Sequence, residues 1–307
     1  MTKPKLIYIV SSRYSGTTLL SAILGAHPDI STIGERKKFY IKSLRPGGKG
    51  RFDCSCGKLY SECEYWSAIR DDVVAKIPDS YLRTDVTQFR LYQNNLLNRI
   101  GRRITKNLIA NNRSIGFTPF ARRVREMCEV NKHIVNATLQ LDGNEIFVDS
   151  SKPIQHALYL SLIEDFDFYV VYMIRDPRAQ AASGMKYHKW SPEKAANIWL
   201  REHTDIRKIF DTWNVKKYEM TYGGFCREPM RHLKEILDFA GVDSSGASLD
   251  FRSTPKHFSG NKRMLKAKTT EITERKGWME QLSAQEIKII EGIAGDFWEK
   301  EELMVNG

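Results

Sequence analysis

Leu6-Ile-Tyr-Ile-Val-Ser-Ser-Arg-Tyr-Ser-Gly-Thr-Thr-Leu-Leu20 decides how this chain is read. An apolar, β-rich run predicts a strand over Leu6–Ser11. It ends in a turn of small residues, which opens into an apolar-periodic helix from Thr17 to Ala26. The first free N–H groups of a helix and its positive dipole end form a ready site for an anion. Gly16 lets backbone approach an oxyanion closely, and Ser15, Thr17 and Thr18 supply hydroxyl donors. The loop is suited to a phosphate or sulfate. A plain βα turn with a Ser/Thr cap is the bland alternative.

The loop is not that of a nucleoside triphosphatase. G-x-x-x-x-G-K-[ST] places a Lys against the β- and γ-phosphates. Here Ser11 stands at the first Gly position and Thr17 at the Lys position, with the cation earlier, at Arg13.

A second segment adds to the first. Phe168–Ile174 reads as a buried parallel strand running into Arg175-Asp-Pro-Arg-Ala-Gln-Ala-Ala-Ser183. Pro177 suits the first turn of a helix, and Ser183 falls about two turns in. Arg175 lies at the carboxyl end of its strand, where open α/β sheets bind ligands. A planar guanidinium there suits a second phosphate.

Together the two segments resemble the PAPS-dependent sulfotransferases, whose donor is 3′-phosphoadenosine 5′-phosphosulfate. The resemblance implies a P-loop-like sulfotransferase fold. It also implies that the first loop (Arg13, Tyr14, Ser15, Gly16, Thr17, Thr18) grips the 5′-phosphosulfate. Arg175 and Ser183, eight positions apart, would grip the 3′-phosphate. Tyr14-Ser-Gly-Thr-Thr-Leu19, Ala26-His-Pro-Asp29 and Glu35 resemble the tyrosylprotein sulfotransferases and their bacterial relatives. The departure is Tyr14, where those enzymes carry Arg; Arg13 is the candidate to compensate. Val148-Asp-Ser-Ser-Lys-Pro153 resembles the segment with the family's catalytic Lys, which makes Lys152 the matching residue. Lys216-Lys-Tyr-Glu219 with Arg227-Glu-Pro229 implies Tyr218 near the adenine. His257-Phe-Ser-Gly-Asn-Lys-Arg263 and Trp278 resemble the C-terminal cofactor-closing loop, with Arg263 or Arg275 as its cation.

Composition sets bounds. The 307 residues can bury one large core. Net charge is +11, from 48 Lys plus Arg against 37 Asp plus Glu, which favours a polyanionic ligand. Nucleic acid would explain the charge too, but no zinc-finger spacing, RNA-binding signature or long basic run supports it. Met-Thr-Lys-Pro-Lys leads directly into a core strand, without a signal-peptide pattern, and no 18-residue apolar run is present. A cytoplasmic protein with no membrane partner is expected.

Five cysteines are an odd number, and Cys54, Cys56 and Cys63 cluster as C-x-C-x₆-C. Three thiols could form most of a zinc site with His27 or another residue as fourth ligand. Reduced packing thiols or an oxidisable pair are the simpler reading, and no metal is assigned to the reaction.

Alternation of strands and helices predicts a three-layer α/β/α fold with a mostly parallel central sheet. One domain covers 1–307. Residues 36–66 read as a Cys-containing loop or lid. Residues 67–135 read as a helical insertion shaping the acceptor pocket, with Ile69, Val73 and Val74, then Leu91, Leu96, Leu97 and Ile100, at helical spacing. Further strands are expected at 145–148 and 215–221, with helices at 153–163, 177–187, 192–213 and 228–240. A last helix over 283–299 opens on a capping box, Ser283 with Glu286.

The expected reaction is in-line sulfuryl transfer from PAPS to a hydroxyl or amine of a small metabolite, leaving ADP-3′-phosphate (PAP), with no metal required. Lys152 is the candidate to stabilise the leaving oxygen. The His of cytosolic sulfotransferases, two residues after that Lys, is absent, because Ile154 stands there; Glu35 is the candidate base. His27 reads as structural, and His156 and His188 are outside candidates. Two rival readings stand beside this one. One is a metabolite kinase using ATP–Mg²⁺; the other is a non-catalytic polyanion-binding protein. No dimer signature is present in the sequence, and the acceptor is not legible.

Overall fold

The computed structural model describes residues 3–39, 54–82, 86–252, 257–258 and 271–306. A parallel sheet of five strands forms its centre: β1 (Lys5–Val10), β2 (Ile30–Thr32), β3 (Ile146–Lys152), β4 (Asp167–Ile174) and β5 (Lys217–Thr221). The order is β2-β3-β1-β4-β5, and every pairing is parallel. The chain therefore leaves β1 for the β2 edge, returns through β3, and crosses β1 to reach β4. The carboxyl ends of β3, β1 and β4 meet where the winding changes direction, the place where open α/β sheets hold ligands.

Why β1 is central follows from its side chains. Leu6, Ile7, Tyr8, Ile9 and Val10 are all wholly buried, so neither face meets water. The strand period of two sends Leu6, Tyr8 and Val10 to one side. There they pack with α4 (Ala121–Asp142), α5 (Ile154–Leu160) and α7 (Pro192–Phe210). Ile7 and Ile9 face α1 (Thr17–Leu24), α8 (Tyr222–Arg227) and α9 (Pro229–Phe239). Three layers result, as the alternation predicts.

Two elements differ from expectation. Ile30-Ser-Thr32 pairs with β3 as a short edge strand, although it carries little β signal of its own. Its buried polar groups are satisfied by neighbours: Thr32 Oγ1 donates to Val148 O at 2.8 Å and lies 3.1 Å from Ser21 Oγ. The insertion comprises α2 (Glu64–Lys76), α3 (Asn95–Ala110) and α4, but α3 docks through small residues. Gly101, Thr105, Ile109 and Ala110 are its buried side, and a Cβ at Gly101 would sit 2.8 Å from Leu91 Cδ1. Leu96, Leu97 and Ile100 face outward, since close approach through Gly101 turns that stripe away.

Remaining local signals are found where expected. Asp176 caps α6 (Pro177–His188) by accepting from the Arg178 N–H at 2.8 Å, with Pro177 in the first turn. Glu286 accepts from the Ser283 N–H at 2.7 Å at the start of the C-terminal helix Ala284–Asn306. Among the described residues no helix is long and apolar enough to cross a membrane.

Candidate functional site

The loop after β1 is held in shape by its own backbone geometry and by its neighbours. Gly16 has φ +93° and precedes the first turn of α1. Tyr14 also has positive φ, +62°, a conformation that costs a non-Gly residue of order 1–3 kcal/mol. Strain of this kind persists only where surroundings enforce it. Here Arg175 Nη1 donates to Tyr14 O at 2.8 Å, and Ser15 Oγ donates to Ser12 O at 2.8 Å. Ser15 thus spends its proton inside the loop, contrary to the expectation that it offers a donor to a ligand. Thr17 Oγ1 is buried and has no partner. A buried hydroxyl left unpaired costs about 1–3 kcal/mol, and an oxyanion at the α1 N-terminus would remove that cost.

A chain of hydrogen bonds ties the loop to the core. Ser12 Oγ donates to Gln180 Oε1 at 2.8 Å, and Gln180 Nε2 donates to Arg13 O. Ser12 has then used its proton, so His203 Nε2–H donates to Ser12 Oγ at 3.0 Å. Tyr172 O–H donates to His203 Nδ1 at 2.6 Å. His203 is therefore neutral. Burial, with a contribution from Arg207, pushes it down to about 3. A buried neutral His stabilises the fold fully above its unfolded value of about 6.5, and that stability drains as pH falls towards the folded value. His156, also pushed well down by burial, acts in the same sense. Between pH 7 and pH 5 urea unfolding of the protein should lose about 2 kcal/mol through His203. His203→Gln should show a visibly shallower pH slope; equal slopes would refute the assignment.

Lys152 closes β3, and its backbone amide oxygen accepts from Ser11 N–H at 3.1 Å, beside the loop. Its φ is +85°, again in the left-handed region. Lys152 Nζ donates to Glu35 Oε1 at 3.0 Å, with both side chains largely buried. Lys38 Nζ and Lys37 Nζ stand 3.0 and 3.4 Å from Glu35 Oε2. Burial alone would raise the Glu35 carboxyl. Lys152, Lys37 and Lys38 outweigh it and hold the group well below the usual carboxylate range. Burial also pulls Lys37 down, opposed by Glu35 and reinforced by Lys152 and Lys38, to about 8. Lys37 is thus a second group of this cluster whose titration moves towards neutrality, and the sequence does not single it out.

What holds Glu35 there is an ion pair beneath it. Arg36 Nε donates to Asp149 Oδ2 at 2.9 Å, with both side chains wholly buried. Asp149 Oδ1 accepts from Ser151 N–H at 2.8 Å, and Lys37 N–H donates to Ser151 Oγ at 3.0 Å. The short Gly34–Lys38 segment is thereby fastened to the end of β3. Breaking one partner of such a pair leaves a bare buried charge, a loss of about 3–5 kcal/mol.

Other expected site residues divide. Arg175 stacks on the Tyr222 ring, 4.5 Å from its centroid, and its Nη2 reaches Arg275 O at 3.4 Å. Tyr222, which the sequence reading passed over, also abuts Gly16: a Cβ there would lie 2.3 Å from Tyr222 Cε2. Tyr218 sits earlier on β5, and its hydroxyl meets His232 Nδ1 and Glu235 Oε2, each at 2.6 Å, on α9. Its contacts are with that helix, whereas Tyr222 is the tyrosine against the loop. Only three-dimensional packing separates the two, since Tyr218 lies on β5 and Tyr222 directly follows it. Ser183 lies on α6 and donates back to Ala179 O at 3.2 Å. Arg13 is exposed, and Tyr14 Oη lies 2.9 Å from His188 Nε2. Thr18 is nearly buried beside Thr17. Arg263 lies outside the described residues. His27 is structural, with Nε2 2.8 Å from Asp243 O and Nδ1 accepting from Asp29 N–H at 3.2 Å.

The sequence matches the sulfotransferase family over residues 4–245. No curated protein matches it. In fold the chain is similar to the sulfotransferase domain of the Synechococcus PCC 7002 olefin synthase, with a TM-score of 0.50 and 19% identity over 96% of each chain. It is also similar to sulfotransferase STF9 from Mycobacterium avium, with a TM-score of 0.47 and 12% identity over 98% of this chain and 77% of that one.

Proposed function

The chain belongs to the sulfotransferase family, and from that membership we propose that it transfers a sulfuryl group from PAPS to a hydroxyl or amine of a small-molecule acceptor. The observation that carries the reading is the buried, unpartnered Thr17 Oγ1 at the α1 N-terminus. Lys152 and Arg175 both touch the same loop from the adjacent strand ends. PAPS supplies an activated sulfuryl group and two anionic ends. Three separate cationic or N–H-rich features at one switch point fit such a ligand.

Each residue then has one task. The α1 N-terminus, Gly16, Thr17 and Thr18 hold the 5′ end, with Arg13 at the exposed rim. Arg175 and Ser183 hold the 3′-phosphate, with Tyr222 as the surface on which the guanidinium rests. Lys152 Nζ stabilises the negative charge that develops on the leaving oxygen. Glu35 accepts the acceptor's proton. Paired with three ammonium groups it is a poor base, so its basicity must rise as Lys152 Nζ turns from it to the leaving oxygen. No metal ion is assigned to the transfer step. Residues 67–135 wall the acceptor side within a single domain.

Calorimetric titration with ADP-3′-phosphate tests this directly, against ADP and ATP–Mg²⁺, on the native protein and on Arg175→Ala. The native protein should require the 3′-phosphate, and Arg175→Ala should lose about 2–3 kcal/mol of affinity, one charge-assisted pair. Preference for ATP–Mg²⁺, or indifference to the 3′-phosphate, would overturn the reading in favour of a kinase or a general polyanion binder.

A further inference from the structure

Cys54, Cys56 and Cys63 lie on the turn that leads into α2, and His257 meets them from 194 residues beyond Cys63. Their ligand atoms all lie within 4.8 Å of one another. Cys56 Sγ and Cys63 Sγ are 3.7 Å apart, and His257 Nδ1 stands 3.1 Å from Cys63 Sγ and 3.5 Å from Cys54 Sγ. Zinc bonds of about 2.3 Å to sulfur and about 2.0–2.1 Å to nitrogen give a tetrahedron with edges of about 3.8 and 3.6 Å. The Cys56–Cys63 and Cys54–His257 separations are of that size, and the Cys63–His257 one is shorter. A disulfide needs about 2.05 Å, and all three cysteines are free thiols.

The surroundings orient the ligands. Trp66 Nε1–H donates to Cys54 Sγ at 3.3 Å. N–H donors to sulfur favour and aim thiolates, the role outer groups play around a metal. Tyr65 stacks on the His257 ring, centroids 4.5 Å apart and planes 12° apart, while its hydroxyl donates to Asp142 Oδ2 at 3.1 Å. Gly57, at φ +89° with open space around it, makes the tight turn possible. Two further bonds join the segments: Phe258 N–H to Ser55 Oγ at 2.9 Å and Tyr60 O–H to Phe258 O at 3.2 Å.

We propose that Cys54, Cys56, Cys63 and His257 Nδ1 form a closed tetrahedral site for one zinc ion. Four protein ligands leave no open position, so the ion is structural and takes no part in transfer. The three thiols release their protons to solvent on binding, and no electron moves. The ion staples the turn before α2 to the chain at His257. Trp66, which donates to Cys54, packs on Phe39, ring centroids 5.9 Å apart, one residue after Lys38 of the Glu35 cluster. The site thereby buttresses one side of the proposed acid–base pair. In this proposal His257 is the fourth ligand that the sequence left open between His27 and another residue, and it stands against the simpler reading of packing thiols or an oxidisable pair.

Elemental analysis of the 307-residue chain, purified with reductant and supplied with Zn²⁺, tests the site without reference to transfer. About one zinc per chain is expected. Cys56→Ser, at an exposed position, and His257→Gln should each weaken binding by at least about 100-fold. Cys128→Ser, at a cysteine outside the cluster whose thiol meets Tyr159 O, should retain the metal. Co²⁺ in place of Zn²⁺ should give the absorption of a tetrahedral thiolate complex. Zinc content equal in the native protein and Cys56→Ser, or an octahedral Co²⁺ spectrum, would overturn the proposal. Titration with ADP-3′-phosphate is read separately, so either reading can fail alone.

Discussion

Lys152→Ala should lower the rate of sulfuryl transfer by about 10²–10³-fold, the loss of one preorganised donor worth about 3–4 kcal/mol. The ammonium is largely buried, sits at the end of β3 beside the anion loop, and is held by Glu35 at 3.0 Å. Its backbone occupies the left-handed region, strain that the fold maintains at this position. Because Glu35 keeps Lys37 and Lys38 as partners, the variant leaves no bare buried carboxylate, and the protein should stay folded. Charge develops on the leaving oxygen only in the transition state, so affinity for ADP-3′-phosphate should change little. Single-turnover kinetics with PAPS and calorimetry on the same variant separate the two effects. Undiminished transfer, or rate and affinity lost in equal measure, would remove Lys152 from this role.

Gly16→Ala should destabilise the protein by about 2–4 kcal/mol and abolish anion binding. Two costs combine. A φ of +93° strains any side chain, and the new Cβ would lie 2.3 and 2.4 Å from Tyr222 Cε2 and Cδ2. The ring cannot retreat freely, because Arg175 lies on it at 4.5 Å. Tyr222→Ala in the Gly16→Ala background removes the clash and leaves the backbone strain. Urea unfolding of the two single variants and the double should therefore show partial recovery. Full recovery would mean that only sterics matter at Gly16, and none would mean that only the backbone does. A neutral Gly16→Ala would contradict the loop geometry itself.

Much of the site was legible because its signals are local. The strand, glycine turn and helix at 6–24 need only the apolar run, one residue tolerant of positive φ and the return of helical periodicity. Arg175 was placed at its strand end for the same reason, whereas Lys152 came from the family pattern, beyond the strand expected at 145–148. The family pattern then named Glu35, which its spacing alone would have left as one acid in a basic loop. Tyr222 was missed because Tyr218 carries the motif, while packing against Gly16 and Arg175 has no sequence signature. Leu96, Leu97 and Ile100 misled because periodicity marks a helix face without saying which face is covered.

Sequence by itself determined the layered α/β class, the strand, glycine turn and helix at 6–24 and the place of Arg175 just after its strand, since each depends on residues within a few positions of one another. Tertiary structure alone decided the strand order, the short β2 edge, the neutral His203 under the loop and the meeting of Glu35 with three lysines. It also brought His257 to Cys54, Cys56 and Cys63. The physical reason is range. Propensity, capping and periodicity act over a turn or a strand. Ion pairs, ligand sets and closed packing depend on distances that the chain sets only when its two ends have folded against the same sheet.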